Sequence, residues 1–310
     1  MCIHSIIELG RHDSQKYYIV EHDNGVIQYK CSQVKTDVAA SNWNLTIPKL
    51  TTEKVDYRML HKSPIPKSSK ATYFLPKGKT NCEKWLLYCP GGALLFHSYL
   101  ILPRLQEIFP DFGIVLVDYG VVPEKSFPSP LVDVLDTYHY MLNVMKVDSK
   151  FISFLSDSAG GHICLGALLK IKEYILSPPS CCVFLSPWTD LTCSGNSFKE
   201  KMHIDYLDVD IKLLLEVYSN TEYDLELLKT KEYSPVFGDL SGIPPILINS
   251  GACEALLDDN KLLYKRLKEA GNADVHHTVY DNMPHDFQMF YFQESNDSLK
   301  EIQTFINKHT

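Results

Sequence analysis

The sequence has little that would direct the protein out of the cytosol. Its nine cysteines form an odd number without a C-x-x-C pair, so we expect reduced thiols rather than a secreted disulfide framework. Residues 1–10 have no basic segment and no long apolar stretch, and an ordinary signal peptide is therefore not expected. No run approaches the roughly 18 apolar residues of a membrane helix. We predict a cytoplasmic protein and leave open peripheral contact with the endoplasmic reticulum or lipid droplets.

Basic residues are also scarce relative to acidic ones. The chain has 30 Lys and Arg against 38 Asp and Glu, a formal net charge of −8, and it contains no block of like charge. Nucleic-acid binding requires a clustered basic face, so we expect no partner of this class. With 45% hydrophobic and 22% charged residues, the 310-residue chain has the composition of a folded globular protein.

Short apolar strands alternate with helical segments over most of the chain. Such strands are typical of a parallel sheet that is buried on both faces. The sequence therefore predicts an α/β protein with a doubly wound, mostly parallel sheet. The strands are predicted at residues 85–88, 114–117, 151–155, 182–185, 246–248 and 275–280. The helices are predicted at residues 100–109, 131–145, 161–171, 258–270 and 298–308.

Two segments depart from this alternation. Residues 190–233 have a mostly helical pattern without a strand, which is typical of a cap above the carboxyl edge of the sheet. Residues 1–70 are mixed, with short strands predicted at 26–29 and 34–38 and a loop at 62–70. We predict one domain that spans the whole chain, with cap contributions from both segments.

A serine stands where a predicted strand passes directly into a predicted helix. Residues 154–162 are F-L-S-D-S-A-G-G-H, with Ser158 at the turn. A nucleophile elbow of the type G-x-S-x-G requires this setting, because a tight turn lifts the serine hydroxyl clear of the sheet. Ser156 replaces the leading glycine, whereas Gly160 and Gly161 are present. The segment favours Ser158 as a nucleophile, and a Ser/Gly helix cap is the alternative.

A proline-glycine turn follows the first strand of the alternating region. Residues 89–93 are C-P-G-G-A. Acyl transfer places negative charge on the carbonyl oxygen of the substrate, and losing one backbone N–H donor to that oxygen costs roughly 3–4 kcal/mol. The turn is a candidate source of such donors, and an ordinary chain reversal is the alternative.

Together with later motifs, these segments resemble the hormone-sensitive-lipase-like family of α/β-hydrolase esterases. That family carries, in order, H-G-G-G, V-D-Y-R-L-x-P-E with F-P-x-x-x-x-D, G-D-S-A-G-G, P-W-x-D-L, D/E-x-L-x-D and H-x-F. The resemblance covers the chain from about residue 84 to its end, and within the family it is closest to the fungal steryl-acetyl-hydrolase-like branch. The matching segments are residues 90–93, 117–133, 156–161, 186–191, 254–258 and 285–287.

Three of the departures from the family pattern matter most for the proposed site. Pro90 replaces the first histidine, Ala93 replaces the third glycine, and Gly120 replaces the arginine. In the family the histidine braces the loop, a task that a proline also performs, and Ala93 keeps its N–H. The resemblance implies an oxyanion hole built by four backbone amides, those of Gly91, Gly92, Ala93 and Ala159.

Twelve histidines compete for the role of the general base that a serine nucleophile requires. His285 follows the last predicted strand and lies at the carboxyl edge of the sheet, where active sites of open parallel sheets occur. It also matches the family motif H-x-F. His276 and His277 lie within a predicted strand, and His162 lies one turn into the elbow helix, so we expect these three to be structural.

The acid that orients the base is expected after the preceding strand, in the chain order Ser, Asp or Glu, His. Glu254 aligns with the acid position of the family, which accepts either carboxylate. Asp258 and Asp259 are the alternatives, and both are predicted to be solvated or capping residues at the start of a helix.

The sequence therefore predicts a serine esterase or lipase-like carboxylic ester hydrolase that acts through a Ser-His-Glu triad and an acyl-enzyme. No metal or organic cofactor is expected, because no His, Cys or carboxylate cluster has ligand spacing. The fungal resemblance implies acetate esters, within a class of small or lipophilic esters. A non-catalytic ligand-binding protein and an amidase or formamidase are the alternatives. Four aromatic residues of the predicted cap suggest an apolar substrate pocket, with core packing as the alternative; they are Phe198, Tyr206, Tyr218 and Tyr223.

Overall fold

A computed structural model describes residues 3–12, 15–22, 27–31, 53–56, 70–76, 79, 81–207 and 210–310. Its strands are β1 (Ile3–His12), β2 (Gln15–His22), β3 (Ile27–Cys31), β4 (Glu53–Asp56), β5 (Lys70–Phe74), β6 (Trp85–Cys89), β7 (Gly113–Asp118), β8 (Ile152–Asp157), β9 (Cys181–Leu185), β10 (Ile246–Gly251) and β11 (Val275–Tyr280). Its α-helices are α1 (Leu102–Ile108), α2 (Ser129–Asn143), α3 (Ser158–Glu173), α4 (Asn196–Lys201), α5 (Ile211–Ser219), α6 (Leu225–Leu228), α7 (Leu257–Glu269) and α8 (Gln293–His309).

The main sheet has eight strands in the order β11-β10-β9-β8-β6-β7-β5-β4. Strands β6 to β11 are parallel to their neighbours, whereas β5 is antiparallel to β7 and β4 is antiparallel to β5. The predicted α/β-hydrolase fold with a mostly parallel sheet is confirmed. The strand order reverses between β6 and β8, and ligands of open α/β sheets bind at such a reversal, beyond the carboxyl ends of the strands.

Both faces of the sheet are covered because the central strands are apolar at successive positions. On one face Leu86 and Tyr88 of β6 pack with α1 and α8. On the other face Leu87 and Cys89 pack with α2 and α3. All five residues of β6 are buried, as expected for a parallel strand with helices on both sides. This double cover leaves the carboxyl edge of the strands as the place where polar side chains gather.

Residues 190–233, which are predicted to form a cap, contain α4, α5 and α6 and no strand among those that the structure describes. Helix α5 is joined to the domain by Tyr218, whose carbonyl accepts a hydrogen bond from the Phe127 amide at 2.8 Å and whose hydroxyl lies 3.1 Å from His162 Nε2. His162 is fully buried, which lowers its pKa to about 3. It is therefore a structural residue, in agreement with the sequence prediction.

Strands β1, β2 and β3 form a separate antiparallel sheet. The strand predicted at 26–29 corresponds to β3, whereas the one predicted at 34–38 and the loop at 62–69 lie outside the described residues. In the part of the chain that is described, no helix is both long and apolar enough to cross a membrane. The seven cysteines between residues 82 and 253 are all free thiols.

Candidate active site

Ser158 lies at the junction of β8 and α3, with no residue between the strand and the helix. Its φ angle is +50°, a strained left-handed conformation that is typical of a functional turn. Two glycines allow this geometry, because a Cβ at position 160 would lie 2.1 Å from the Cys89 carbonyl oxygen and one at position 161 would lie 2.5 Å from Pro187. Glycine is therefore required at both positions, because neighbouring segments approach the elbow too closely for a side chain.

His285 approaches Ser158 from the loop that follows β11. Its Nε2 atom lies 2.9 Å from Ser158 Oγ, within hydrogen-bonding distance, and the ring is buried. The loop passes close to the end of β10, where a Cβ at Gly251 would lie 2.2 Å from the Met283 carbonyl oxygen. Two residues that are 127 positions apart in the chain thus meet at the carboxyl edge of the sheet.

Glu254 lies on the other side of the imidazole. Its Oε2 atom is 3.9 Å from His285 Nδ1, which is an ion-pair distance longer than a hydrogen bond. The same oxygen accepts hydrogen bonds from Ser186 Oγ at 2.5 Å and from the Gly251 amide at 3.1 Å. Glu254 is fully buried, and this burial raises its pKa. Among the predicted acids, Glu254 is the one placed beside the imidazole.

The two alternative acids have partners elsewhere. Asp258 accepts a hydrogen bond from the Ser197 amide at 2.9 Å and lies 3.3 Å from Lys261 Nζ. Asp259 accepts hydrogen bonds from the amide and hydroxyl of Thr189 at 2.7 and 2.6 Å. Asp259 is 8% exposed, so the prediction of a solvated or capping residue is wrong for it. It holds the P-W-x-D-L segment against α7 instead.

The predicted oxyanion loop requires one correction, at Gly91. The Gly91 amide donates to Asp157 Oδ2 at 2.9 Å, and the other Asp157 oxygen accepts the Tyr88 hydroxyl at 2.7 Å. An N–H that is already bound to a buried carboxylate is not available to a substrate, so Gly91 leaves the predicted set of donors. Asp157 instead fixes the loop to the elbow.

The remaining predicted donors are those of Gly92, Ala93 and Ala159. Within the described residues, no hydrogen bond is donated by the Gly92 or Ala93 amide to a backbone or side-chain acceptor. Ala159 lies in the first turn of α3, where amides have no partner inside the helix. Gly92 has φ +126°, and a Cβ there would lie 2.1 Å from the Phe96 carbonyl oxygen. Three of the four predicted donors thus remain candidates for the oxyanion hole.

The Pro90 departure from the family pattern is compensated by a hydrogen bond. Tyr119 Oη donates to the Pro90 carbonyl at 2.7 Å, and His97 Nε2 lies 2.9 Å from the Tyr119 carbonyl oxygen. The Gly120 amide donates to Asp133 Oδ2 at 2.8 Å. The V-D-Y motif and the later aspartate therefore anchor the loop that carries the proposed donors.

Sequence reasoning missed two residues beside His285, Asp205 and Asp286. Asp205 of the cap accepts hydrogen bonds from the Ala255 amide at 2.7 Å and from the His285 amide at 3.4 Å. Asp286 Oδ2 lies 3.2 Å from His285 Nε2, and the Asp286 amide donates to Ser186 Oγ at 3.1 Å. No spacing rule identifies these residues, because the motif H-x-F leaves its middle position open and the cap has no motif.

Buried carboxylates dominate the electrostatics of His285. Burial alone would lower the pKa of the imidazole, but Asp286, then Asp205 and Glu254, outweigh this effect and raise it. A raised pKa favours the protonated imidazole at neutral pH. An imidazole must lose that proton before it can act as a base, so the neutral form of His285 is favoured only at higher pH.

Tyr206 is the predicted cap aromatic that lies at the site. Its ring centroid is 5.8 Å from that of His285 and 6.4 Å from that of Phe290. Tyr218 is buried against Phe127 and His162, and Phe198 and Tyr223 pack against the main core. Core packing, the alternative to a substrate pocket, is therefore what the structure shows for Tyr218, Phe198 and Tyr223. In the described residues, no cluster of three or more His, Cys, Asp or Glu side chains is arranged to hold a metal ion.

Comparison with known proteins gives one consistent result. Residues 111–289 match a family model described as the alpha/beta hydrolase fold. An esterase of Acinetobacter venetianus is 31% identical over 237 residues, which are 74% of this chain and 76% of that protein. An acetyl-hydrolase of Streptomyces hygroscopicus is 27% identical over 213 residues, 67% of this chain and 68% of that protein.

A solved structure is also similar. The structure of a hormone-sensitive lipase from a metagenome library has a TM-score of 0.71 and 31% sequence identity, and the match covers 78% of this chain and 83% of that chain. The resemblance to the hormone-sensitive-lipase-like family is thus confirmed. The closer resemblance to the fungal steryl-acetyl-hydrolase-like branch stays a prediction.

Proposed function

Since the chain belongs to the α/β-hydrolase family and is a carboxylic ester hydrolase related to hormone-sensitive-lipase esterases, we propose that Ser158 is its nucleophile, His285 its general base and Glu254 the acid. The observation that carries this proposal is the distance of 2.9 Å between His285 Nε2 and Ser158 Oγ at the elbow. A base within hydrogen-bonding distance is what a serine hydroxyl requires to become a nucleophile.

The first half of the reaction forms an acyl-enzyme. Ser158 Oγ attacks the ester carbonyl carbon while His285 Nε2 takes the hydroxyl proton. The carbonyl oxygen acquires negative charge, which is stabilised by the amides of Gly92, Ala93 and Ala159. The tetrahedral intermediate then expels the alcohol, which receives its proton from His285.

The second half restores the enzyme. A water molecule gives a proton to His285 Nε2 and attacks the acyl carbon, and the ester bond to Ser158 breaks. Ser158 Oγ recovers its proton from His285, and the carboxylic acid leaves. Glu254 stabilises the imidazolium that forms in each half and holds the ring orientation, so the cycle requires neither a metal nor an organic cofactor.

Small acyl groups, acetyl among them, are the proposed substrates. One supporting observation is the acetyl-hydrolase name of the Streptomyces hygroscopicus relative. The second is the enclosure of the site, since Ser158 is 7% exposed and His285 is 1% exposed. The Tyr206 ring beside His285 supplies an apolar surface that suits a lipophilic alcohol group.

Hydrolysis of p-nitrophenyl acetate by the purified protein and its Ser158→Ala variant tests the proposal. We expect turnover by the wild type and a loss of about 10⁴-fold or more in kcat for Ser158→Ala, because among the described residues Ser158 carries the hydroxyl that lies within hydrogen-bonding distance of His285 Nε2. Ser156→Ala is the matched control, since Ser156 is buried in the same elbow and its hydroxyl has no hydrogen-bond partner among the described residues.

The control should retain wild-type kcat. Comparable activity of Ser158→Ala and wild type would overturn the proposed nucleophile. An amidase on the same scaffold is the second candidate, and p-nitroacetanilide separates it from an esterase. We expect the ester to be cleaved at least about 10²-fold faster than the anilide, since the proposed cleavage of the ester expels a good leaving group. The reverse preference would favour the amidase.

A further inference from the structure

One atom of the proposed triad has two neighbours. His285 Nε2 lies 2.9 Å from Ser158 Oγ and 3.2 Å from Asp286 Oδ2. A serine hydrolase needs the first contact, because Nε2 accepts and returns the proton of the nucleophile. It has no need of the second, since Glu254 already lies on the Nδ1 side of the ring.

The position of Asp286 is fixed by the fold. Its φ angle is +47°, a left-handed conformation that Asp tolerates better than most residues, and this turn directs the carboxylate back to the preceding side chain. The Asp286 amide is held by Ser186 Oγ, which in turn donates to Glu254. Asp286 is 4% exposed, and its Oδ1 atom has no hydrogen-bond partner among the described residues. Solvent therefore screens this charge little.

We propose that Asp286 sets the pH range of the reaction by holding a proton on His285 Nε2. The carboxylate accepts a hydrogen bond from the protonated nitrogen and stabilises the imidazolium, in which Nε2 has no lone pair for the Ser158 proton. The active form appears when that proton leaves to solvent. This inference rests on the proposed roles of Ser158 and His285.

Other charges face His285, but from different directions. Asp205 of the cap binds the His285 backbone amide, and Glu254 lies on the Nδ1 side. Asp157, at the end of β8, interacts electrostatically with both His285 and Asp286 while binding Tyr88 and Gly91. In the part of the chain that the structure describes, Asp286 is the carboxylate in contact with Nε2. Removal of the Asp286 carboxylate therefore weakens the binding of the proton to Nε2, and it leaves the contact between Glu254 and Nδ1 in place.

The Asp286→Asn variant tests the proposal, because Asn keeps the shape and tolerates the left-handed turn. An opposite charge within about 4–6 Å raises the pKa of a histidine by about 1–3 pH units. We therefore expect the acid limb of kcat/KM against pH to move at least about one pH unit lower in Asp286→Asn. Near the pH optimum of the wild type, kcat should change by less than about tenfold. Asp111→Asn, at an exposed position that pairs with Lys79, is the matched control and should leave the profile in place.

An NMR titration of the His285 imidazole measures the effect of Asp286 on its protonation without any substrate. The titration midpoint of His285 should fall by at least about one pH unit in Asp286→Asn and stay unchanged in Asp111→Asn. A midpoint that does not move, or that rises, would overturn the inference. Failure of the proposed function would look different, because the wild type would then lack esterase activity or Ser158→Ala would retain it. Should Asp286→Asn not fold, Asp286→Gly keeps the positive φ and serves in its place, with the same expected direction.

Discussion

The two sides of the proposed triad are built in different ways. The serine side, residues 89–93 and 156–161, is shaped by close approaches of backbone in which glycines leave no room for a side chain. The histidine side, residues 251–258 and 281–286, has one such approach, at Gly251, and is held mainly by hydrogen bonds in which Ser186 donates to Glu254 and Asp205 accepts from the Ala255 and His285 amides. A backbone-built side is rigid and has recognisable motifs. A side built from side chains can be adjusted by single substitutions and has few motifs.

Removal of the Glu254 carboxylate, on the histidine side, should give the largest loss of kcat. In Glu254→Gln the imidazolium loses its stabilising charge and the ring loses its orienting partner, so kcat should fall about 10²–10⁴-fold. Asp258→Asn is the matched control, because Asp258 contacts Ser197 and Lys261 rather than His285. Steady-state kinetics of both variants on one p-nitrophenyl ester measure the two changes in kcat. Equal losses in the two variants would mean that the acid is misassigned.

Substitution of Gly160, on the serine side, should give the next largest loss of kcat. In Gly160→Ala the new Cβ would lie 2.1 Å from the Cys89 carbonyl oxygen, so the elbow must shift, and overpacking of this kind costs typically about 1–3 kcal/mol of stability. Both the free energy of unfolding and kcat should decrease. Denaturant unfolding and kinetics on the same preparation measure the two quantities.

Gly166→Ala supplies the control in the same helix. A Cβ there meets only Leu131 at 3.4 Å, and alanine has a higher helix propensity than glycine by about 1 kcal/mol. We expect unchanged activity and equal or greater stability. A Gly160→Ala enzyme as stable and active as Gly166→Ala would show that the serine side is not constrained by its backbone contacts.

The same difference explains what the sequence could predict. Ser158 and His285 could be predicted as site residues because each follows a strand in a short motif, and β11 was predicted with its observed bounds, Val275–Tyr280. Helix α8 begins at Gln293 rather than at 298, since its first residues are polar and show no apolar periodicity. Helix α3 begins at Ser158 rather than at 161, because the elbow has no loop between strand and helix.

Contacts between distant side chains were beyond sequence reasoning. The four amides assigned to the oxyanion hole were chosen by resemblance, and only the structure shows that Asp157 occupies the one from Gly91. Asp205 lies 50 positions from Ala255 and 80 from His285, so no local pattern relates them. The segment at residues 190–233 therefore contributes to the histidine side through Asp205, in a way that only three-dimensional proximity reveals.

The central claim, that His285 activates Ser158, is tested most directly by covalent labelling. A fluorophosphonate reacts with a serine that has been activated by a base, and mass spectrometry of the digested protein locates the adduct. We predict one adduct on Ser158 in the wild type and none in the His285→Gln variant under the same conditions. An adduct on another serine, or equal labelling of Ser158 without His285, would contradict the account.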